Sequence, residues 1–252
     1  MTAGDQLGAN YLRRGFRLAM QPGLRRYVAV PLAINVGVFA LLIYGGIEAF
    51  GHAIDWVMTL IPDWLDFIRY ILWPLAVLLL LVVSMYTFSI VANFLAAPFN
   101  GLLCEKAEAL LTGVENTDTT TLSRTLLMLP QSLGRELRKI GYYLPRALLV
   151  LIVSFIPGIN VAAPVLWFLL GAWMMAIEYC DYPLDAHHRP FRDVKTLVGN
   201  NRLPSLGFGA TIMLGTMIPI VNLVIMPAAV CGGVIFWLER RTDNTTITHQ
   251  PA

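Results

Sequence analysis

The stretch Phe155-Ile156-Pro157-Gly158-Ile159-Asn160-Val161-Ala162-Ala163-Pro164 is echoed by Met217-Ile218-Pro219-Ile220-Val221-Asn222-Leu223-Val224-Ile225-Met226-Pro227. Both lie inside apolar runs, both place Asn three residues after an Ile-Pro pair, and both carry a second Pro shortly beyond. Proline lacks an amide donor and pushes the residue before it out of the α region, which predicts helix stops at Ile156 and Ile218. Asparagine is a favoured N-cap, so Asn160 and Asn222 are each placed to restart a helix in the opposite direction. The repeated phrase predicts two apolar helical hairpins with Asn at their tips. A kink in a continuous spanning helix is the competing reading. Paired breaks in apolar segments are also the pattern that points to a transport site in membrane proteins.

Composition sets the broad class. Of 252 residues, 57% are apolar and 13% charged, against about 45–50% and about 25% in soluble domains. A soluble protein of this kind would expose more apolar surface than water tolerates. The prediction is one all-α integral membrane domain, residues 1–252. A net charge of +2 gives no reason to expect a nucleic-acid partner. Cys104, Cys180 and Cys231 are scattered and indicate neither disulfides nor a zinc site. Residues 1–26 are polar and basic, with no apolar h-region of a signal peptide, so the first apolar run reads as an uncleaved anchor.

Two spans are expected at about 27–47 and 70–104, and the two hairpins at about 147–177 and 203–238. The second span is long enough to tilt or protrude. The polar segments are 1–26, 48–69, 105–146, with its Thr-rich loop at 117–125, 178–202 and 239–252. Of 18 basic residues only Arg69 falls in 48–69, whereas 105–146 holds six and 178–202 four. The positive-inside rule puts 48–69 outside and both termini in the cytoplasm. Segments 105–146 and 178–202 can both be cytoplasmic only if run 147–177 enters and returns on one face, as a half-penetrating hairpin. Four full crossings, with 178–202 outside, is the rival layout, since that segment also carries four acids.

For chemistry, Gln21-Pro22-Gly23-Leu24-Arg25-Arg26-Tyr27 stands at the start of the first span. Amides at a helix start point outward with partial positive charge and form a ready anion site. The Arg25–Arg26 pair adds forked donors, and no Asp or Glu occurs from Gln6 to Ile47 to neutralise it. Sulfate needs donors only, whereas phosphate carries a proton that wants an acceptor, so this donor-only site leans to sulfate. Basic residues at a cytoplasmic helix end also serve simply to hold lipid head groups. Tyr86, Ser89, Asn93 and Asn100 share one side of the second span and line a polar path or bond helices together; Asn35 admits the same two readings. No ATP-binding phosphate loop is present, and no acid lies within the uncharged runs, Glu48, Glu105 and Glu178 being at their edges. Residues 178–188 hold Asp, Glu, Cys and His in no usual metal spacing and read as a solvated, structured loop. No cofactor is indicated.

Together, Gly23-Leu24-Arg25-Arg26-Tyr27-Val28-Ala29-Val30-Pro31, Pro98-Phe99-Asn100-Gly101-Leu102-Leu103-Cys104-Glu105-Lys106, Ile156-Pro157-Gly158-Ile159-Asn160 and the Asp181-Tyr182-Pro183 to Phe191 segment resemble the CysZ family of bacterial inner-membrane sulfate permeases. The resemblance covers roughly residues 5–240, with Cys104 where the family has a small Ala. It implies two long crossings and two half-penetrating hairpins with cytoplasmic helical segments, sulfate held at Gly23, Leu24, Arg25 and Arg26, supply of sulfate for cysteine synthesis, and a homodimer or larger homo-oligomer. It also implies that Glu105 and Lys106 belong to a central polar network. The pathway residues expected from these arguments are Asn35, Ser89, Asn93, Asn100, Glu105, Asn160 and Asn222. A lipid-modifying enzyme and a membrane scaffold are the alternatives from other classes.

Overall fold

The computed structural model describes residues 8–59, 69–114 and 129–247. Among the described residues the chain is helical, with no strand. In order come α1 (Ala9–Ala19), α2 (Arg25–Thr59), α3 (Arg69–Thr112), α4 (Leu129–Ser154), a short 3-10 turn (Asn160–Ala162), α5 (Ala163–Ala186), α6 (Phe191–Asn200), α7 (Arg202–Thr216) and α8 (Pro219–Ile247). The Thr-rich loop expected at 117–125 lies outside the described residues. The chain divides into two compact units, Met1–Val28 with Pro98–Ala252, and Ala29–Ala97.

The smaller unit is made from α2 beyond Val28 and α3 up to Ala97. α2 runs well past the expected end of the first span, to Thr59, so the first part of the polar segment, residues 48–59, is helix. Pro31 sits within it and is accommodated early in the helix. α3 has 44 residues, which at ~1.5 Å each is about 66 Å, more than twice the ~30 Å hydrocarbon core. It must tilt or protrude. Leu41, Tyr44 and Tyr70 are 75%, 74% and 82% exposed. Such continuous apolar faces are stable against lipid and not against water.

The larger unit holds the buried core. Residues 9–19 are more than a polar, basic tail: they form α1, whose Tyr11, Gly15, Leu18 and Ala19 fall on one face and are buried, while Arg13 and Arg17 stay exposed. α1 lies directly on α8. A Cβ on Gly15 would come within 2.1 Å of the Ala228 carbonyl oxygen, and one on Gly232 within 2.9 Å of the Tyr11 carbonyl oxygen. Likewise Gly209 of α7 meets the Ala172 carbonyl of α5, and Gly233 of α8 meets that of Tyr179. Small residues let helix backbones approach closely and gain dispersion energy where no hydrophobic effect exists between spans. Tyr11, Phe208 and Phe236 fill the remaining space as an aromatic cluster, with ring centroids 4.9–6.1 Å apart.

Both Pro phrases break their helices. α4 ends at Ser154, the chain turns through Phe155–Ile159 with Gly158 at φ +87°, and α5 follows the 3-10 turn. The two arms pack on each other through Ala147, Val150 and Leu170, and the Trp167 indole donates to the Ser154 hydroxyl at 3.3 Å. α7 ends at Thr216 and α8 begins at Pro219 itself, where a missing amide costs nothing. Neither Asn caps as expected. Asn160 starts the 3-10 turn without a side-chain cap bond. Asn222 lies one turn inside α8, its amide donating to the Ile218 carbonyl at 2.8 Å. Pro219 had already supplied the helix start, so no cap was needed three residues later.

The arms also run beyond the apolar stretches: residues 178–186 belong to α5 and are not a solvated loop. Asn160–Ala186 and Arg25–Ala49 are each long and apolar enough to cross a membrane. Length alone therefore fits α5 to a full crossing as well as to a returning arm.

Candidate anion site at the start of helix α2

Gly23 has φ +104°, a conformation that L side chains rarely adopt. That turn lets Leu24 plunge into the core, only 1% exposed, while Arg25 and Arg26 remain exposed on either side of the helix start. Leu24 is thus the anchor and the arginines are what it presents. The amides of Leu24 and Arg25 both donate to the Gln21 carbonyl, at 3.1 and 3.2 Å, and that of Tyr27 to the Leu24 carbonyl at 2.9 Å. Among the described residues, the Gly23 and Arg26 amides meet no backbone acceptor. Fewer amides face outward here than a bare helix start provides. The Arg26 guanidinium donates to the Tyr27 hydroxyl at 3.1 Å and lies 4.9 Å from that ring's centroid. Among the described residues no ion pair involves Arg25 or Arg26. The result is two exposed guanidinium groups beside two amides with no backbone acceptor among the described residues: donors without an acceptor charge.

Of the expected pathway residues, the side chains of Asn35, Ser89 and Asn93, and that of Tyr86, lie outside the described ones. Asn100 is half-buried and reaches the Tyr182 phenol of α5. Glu105 is half-buried one turn further along α3. Asn160 is exposed at the turn of the first hairpin. Asn222 is half-buried, and its Oδ1 is enclosed with no hydrogen-bond partner among the described residues. An amide oxygen in that state is poorly solvated and ready to accept a donor.

Comparison with known proteins sets the chain in a family. The profile of the family described as "Sulfate transporter CysZ/Etoposide-induced protein 2.4" matches residues 11–227, which include the whole Gly23–Arg26 segment. The sulfate transporter CysZ of Pseudomonas paraeruginosa is 45% identical over 240 residues, 95% of this chain and 98% of the relative. That of Pseudomonas syringae pv. tomato is 45% identical over 250 residues, 99% of each. That of Pseudomonas fluorescens is 43% identical over 243 residues, 96% and 97%. The chain belongs to the CysZ/EI24 family.

In this CysZ-family chain the most buried ionic network among the described residues is one that sequence reasoning missed. Asp181 of α5, 3% exposed, accepts from Arg135 Nε of α4 at 2.8 and 3.0 Å and lies 2.9 Å from Lys139 Nζ. Arg135 also pairs with Asp185 at 3.1 Å and donates to the Arg189 carbonyl at 2.6 Å. Lys139 bonds Glu136 at 2.7 Å and Glu178 at 2.8 Å. Burial by itself pulls the Lys139 ammonium down, but Glu178 and Asp181 outweigh it and carry its pKa above the ordinary lysine range. Nearby, His187 Nε2 lies 2.9 Å from both carboxylate oxygens of Glu108, and its ring packs 4.7 Å from that of Trp237. The signal for this network was present as charge density in 129–146 and 178–188, but a charged segment reads as solvated until its partner helix is known. Among the described residues no cluster of His, Cys, Asp and Glu has the arrangement of a metal site.

Proposed function

We propose that the chain is a sulfate permease of a bacterial inner membrane, supplying sulfate for cysteine synthesis. Its relatives are named as transporters of sulfate, which sets the chain among transport proteins and outside the enzymes. The observation that carries the reading is the exposed Arg25–Arg26 pair, presented by the buried Leu24 and free of any carboxylate among the described residues, inside a chain alignable almost end to end with sulfate transporters. Forked guanidinium donors and the Gly23 and Arg26 amides suit a doubly charged tetrahedral oxyanion.

In this reading sulfate docks at Gly23, Leu24, Arg25 and Arg26, then passes along the neutral carboxamides Asn35, Asn93, Asn100, Asn160 and Asn222, with Ser89 and Glu105 beside the path. Conduction needs attraction enough to admit the ion and too little to trap it, and uncharged donors meet that condition better than further arginines. The hairpins α4–α5 and α7–α8 enter and return on the cytoplasmic face, both termini are cytoplasmic, and the whole chain acts as one integral-membrane domain that assembles into homodimers or larger oligomers surrounded by lipid.

The test is flux of radiolabelled sulfate into liposomes that contain only this chain. Uptake is expected, and is expected to collapse in Arg25→Ala/Arg26→Ala while the melting temperature stays unchanged. Absence of uptake by the wild-type chain favours a scaffold role instead. Full uptake by the double variant removes the arginine pair from the mechanism.

A further inference from the structure

A second basic site lies in the larger unit, remote in sequence from Gly23–Arg26. It is an open pocket of about 510 Å³ between α4 and the start of α6, lined by Arg138, Tyr142, Arg146, Phe191, Arg192 and Lys195. Its floor is rigid. Tyr142 is fixed by the Trp173 indole donating to its hydroxyl at 3.1 Å and by Phe191 edge-on at 6.0 Å. Two cations stand over that floor: the Arg146 guanidinium 3.5 Å from the Tyr142 centroid, and Lys195 Nζ 5.8 Å from it and 5.7 Å from that of Phe191.

Among the described residues none of the four cations is ion-paired; the acid of α6, Asp193, is occupied by Arg189 at 3.2 Å. Phe191 and Arg192, which start α6, line the same space, and their amides meet no backbone acceptor among the described residues, that of Asp193 turning back to Pro190 at 2.9 Å. The pocket therefore gathers four cations with no ion-pair partner among the described residues, and its volume of about 510 Å³ is far larger than a bare oxyanion fills.

What adjoins it identifies the anion. Leu149 and Ile152 lie seven and ten residues beyond Tyr142 within α4, hence on the same half of the helix, and are 63% and 55% exposed. From Tyr142 to Ile152 along α4 is about 15 Å at ~1.5 Å per residue, the depth of one leaflet of a ~30 Å hydrocarbon core. A charged head-group cradle thus passes directly into an uncovered aliphatic strip of acyl-chain length. A soluble phosphate would use the first and have no use for the second.

We propose that this pocket binds the phosphate of an anionic phospholipid, with an acyl chain laid along Leu149 and Ile152. The lipid clamps the start of α6 to the α4 arm of the first hairpin. The proposal does not depend on where sulfate binds.

Native mass spectrometry of the full chain in detergent, with phosphatidylglycerol, phosphatidylcholine or inorganic phosphate added, tests it. Phosphatidylglycerol is expected to bind and phosphatidylcholine to bind far more weakly. Arg192→Gln/Lys195→Gln, both exposed and so harmless to the core, is expected to weaken phosphatidylglycerol binding roughly tenfold or more, each cation near a membrane surface being worth about a tenfold step or somewhat less. Arg13→Gln/Arg17→Gln removes the same charge from exposed positions of α1 and is expected to leave lipid binding intact. Unchanged binding in the pocket variant, an equal loss in the α1 variant, or equal binding of phosphatidylcholine overturns the site. Displacement of the lipid by millimolar inorganic phosphate overturns the lipid as its ligand in favour of a soluble phosphate.

Discussion

Arg135 and Asp181 face each other across the first hairpin, Nε of the arginine donating to both carboxylate oxygens at 2.8 and 3.0 Å, with side chains only 11% and 5% exposed. The pair joins the polar ends of α4 and α5, and the Lys139 ammonium 2.9 Å away makes Asp181 an acid shared by two cations. Replacing it with Asn keeps the shape and removes the charge, which leaves Arg135 and Lys139 facing each other without their common counter-ion. Breaking a buried pair from one side costs about 3–5 kcal/mol. Asp181→Asn should therefore lower the melting temperature in detergent sharply, whereas Arg14→Gln, which breaks the half-exposed pair with Glu239, should lower it little.

Lys139 gives the network a pH signature. Its pKa is raised in the folded protein above the ordinary value of 10.5, so the folded state holds the proton more tightly than the unfolded one. That contribution to stability is fully present below about 10.5 and is lost as pH climbs from there towards the folded value. The difference in melting temperature between wild type and Lys139→Gln should be flat from about pH 7 to 10 and narrow above it. A difference that shrinks already between about pH 7 and 9 would mean that Lys139 is not held by Glu178 and Asp181 as described.

The packing of α5, α7 and α8 makes a third prediction. A methyl group on Gly209 would fall 1.7 Å from the Ala172 carbonyl oxygen, and one on Gly233 2.0 Å from that of Tyr179. Backbone cannot step aside as a flexible side chain can, so the helices must separate. Gly209→Ala and Gly233→Ala should each destabilise the larger unit by at least about 1–3 kcal/mol, the range for overpacked cores. Gly37 of α2 has open space around its Cβ position. Gly37→Ala should be neutral or stabilising, since Ala is the better helix former by about 1 kcal/mol. Thermal melts of the three variants provide the comparison.

These effects also mark where sequence stops being informative. The helix breaks at Ser154 and Met217–Ile218 are legible because proline acts locally: Pro157 and Pro219 remove donors wherever the chain runs. The apolar length of α2 is legible for the same reason. Burial of α1 is not, because Tyr11, Gly15, Leu18 and Ala19 are diluted by the three arginines Arg13, Arg14 and Arg17, and only the partner surface of α8 shows which face matters. Asp181 and Lys139 are harder still. A charged residue is exposed unless paired, and its partner lies on another helix. At the anion site the sequence indicates Arg25 and Arg26 and even the helix start, but not that Gln21 uses up two of the amides, nor that Leu24 is the peg holding the rest.

That peg depends on Gly23, which leads to the last prediction. At φ +104°, with nothing within 4 Å of its Cβ position, Gly23 is required for its backbone and not for its size. A substitution there pays only the strain of a left-handed conformation, about 1–2 kcal/mol for an ordinary L residue and less for Asn, whose short polar side chain bonds locally. If Leu24 must enter the core for Arg25 and Arg26 to be presented together, strain at residue 23 is relieved by turning the arginines away from each other. Sulfate affinity measured by calorimetry should then fall in the order Gly23, Gly23→Asn, Gly23→Ala, Gly23→Val, with the melting temperature falling only by the few degrees that this strain costs, because Leu24 stays docked. A steric site would rank the same variants by volume, placing Ala ahead of Asn. Finding Ala ahead would show that the space above Gly23, and not its turn, is what sulfate uses.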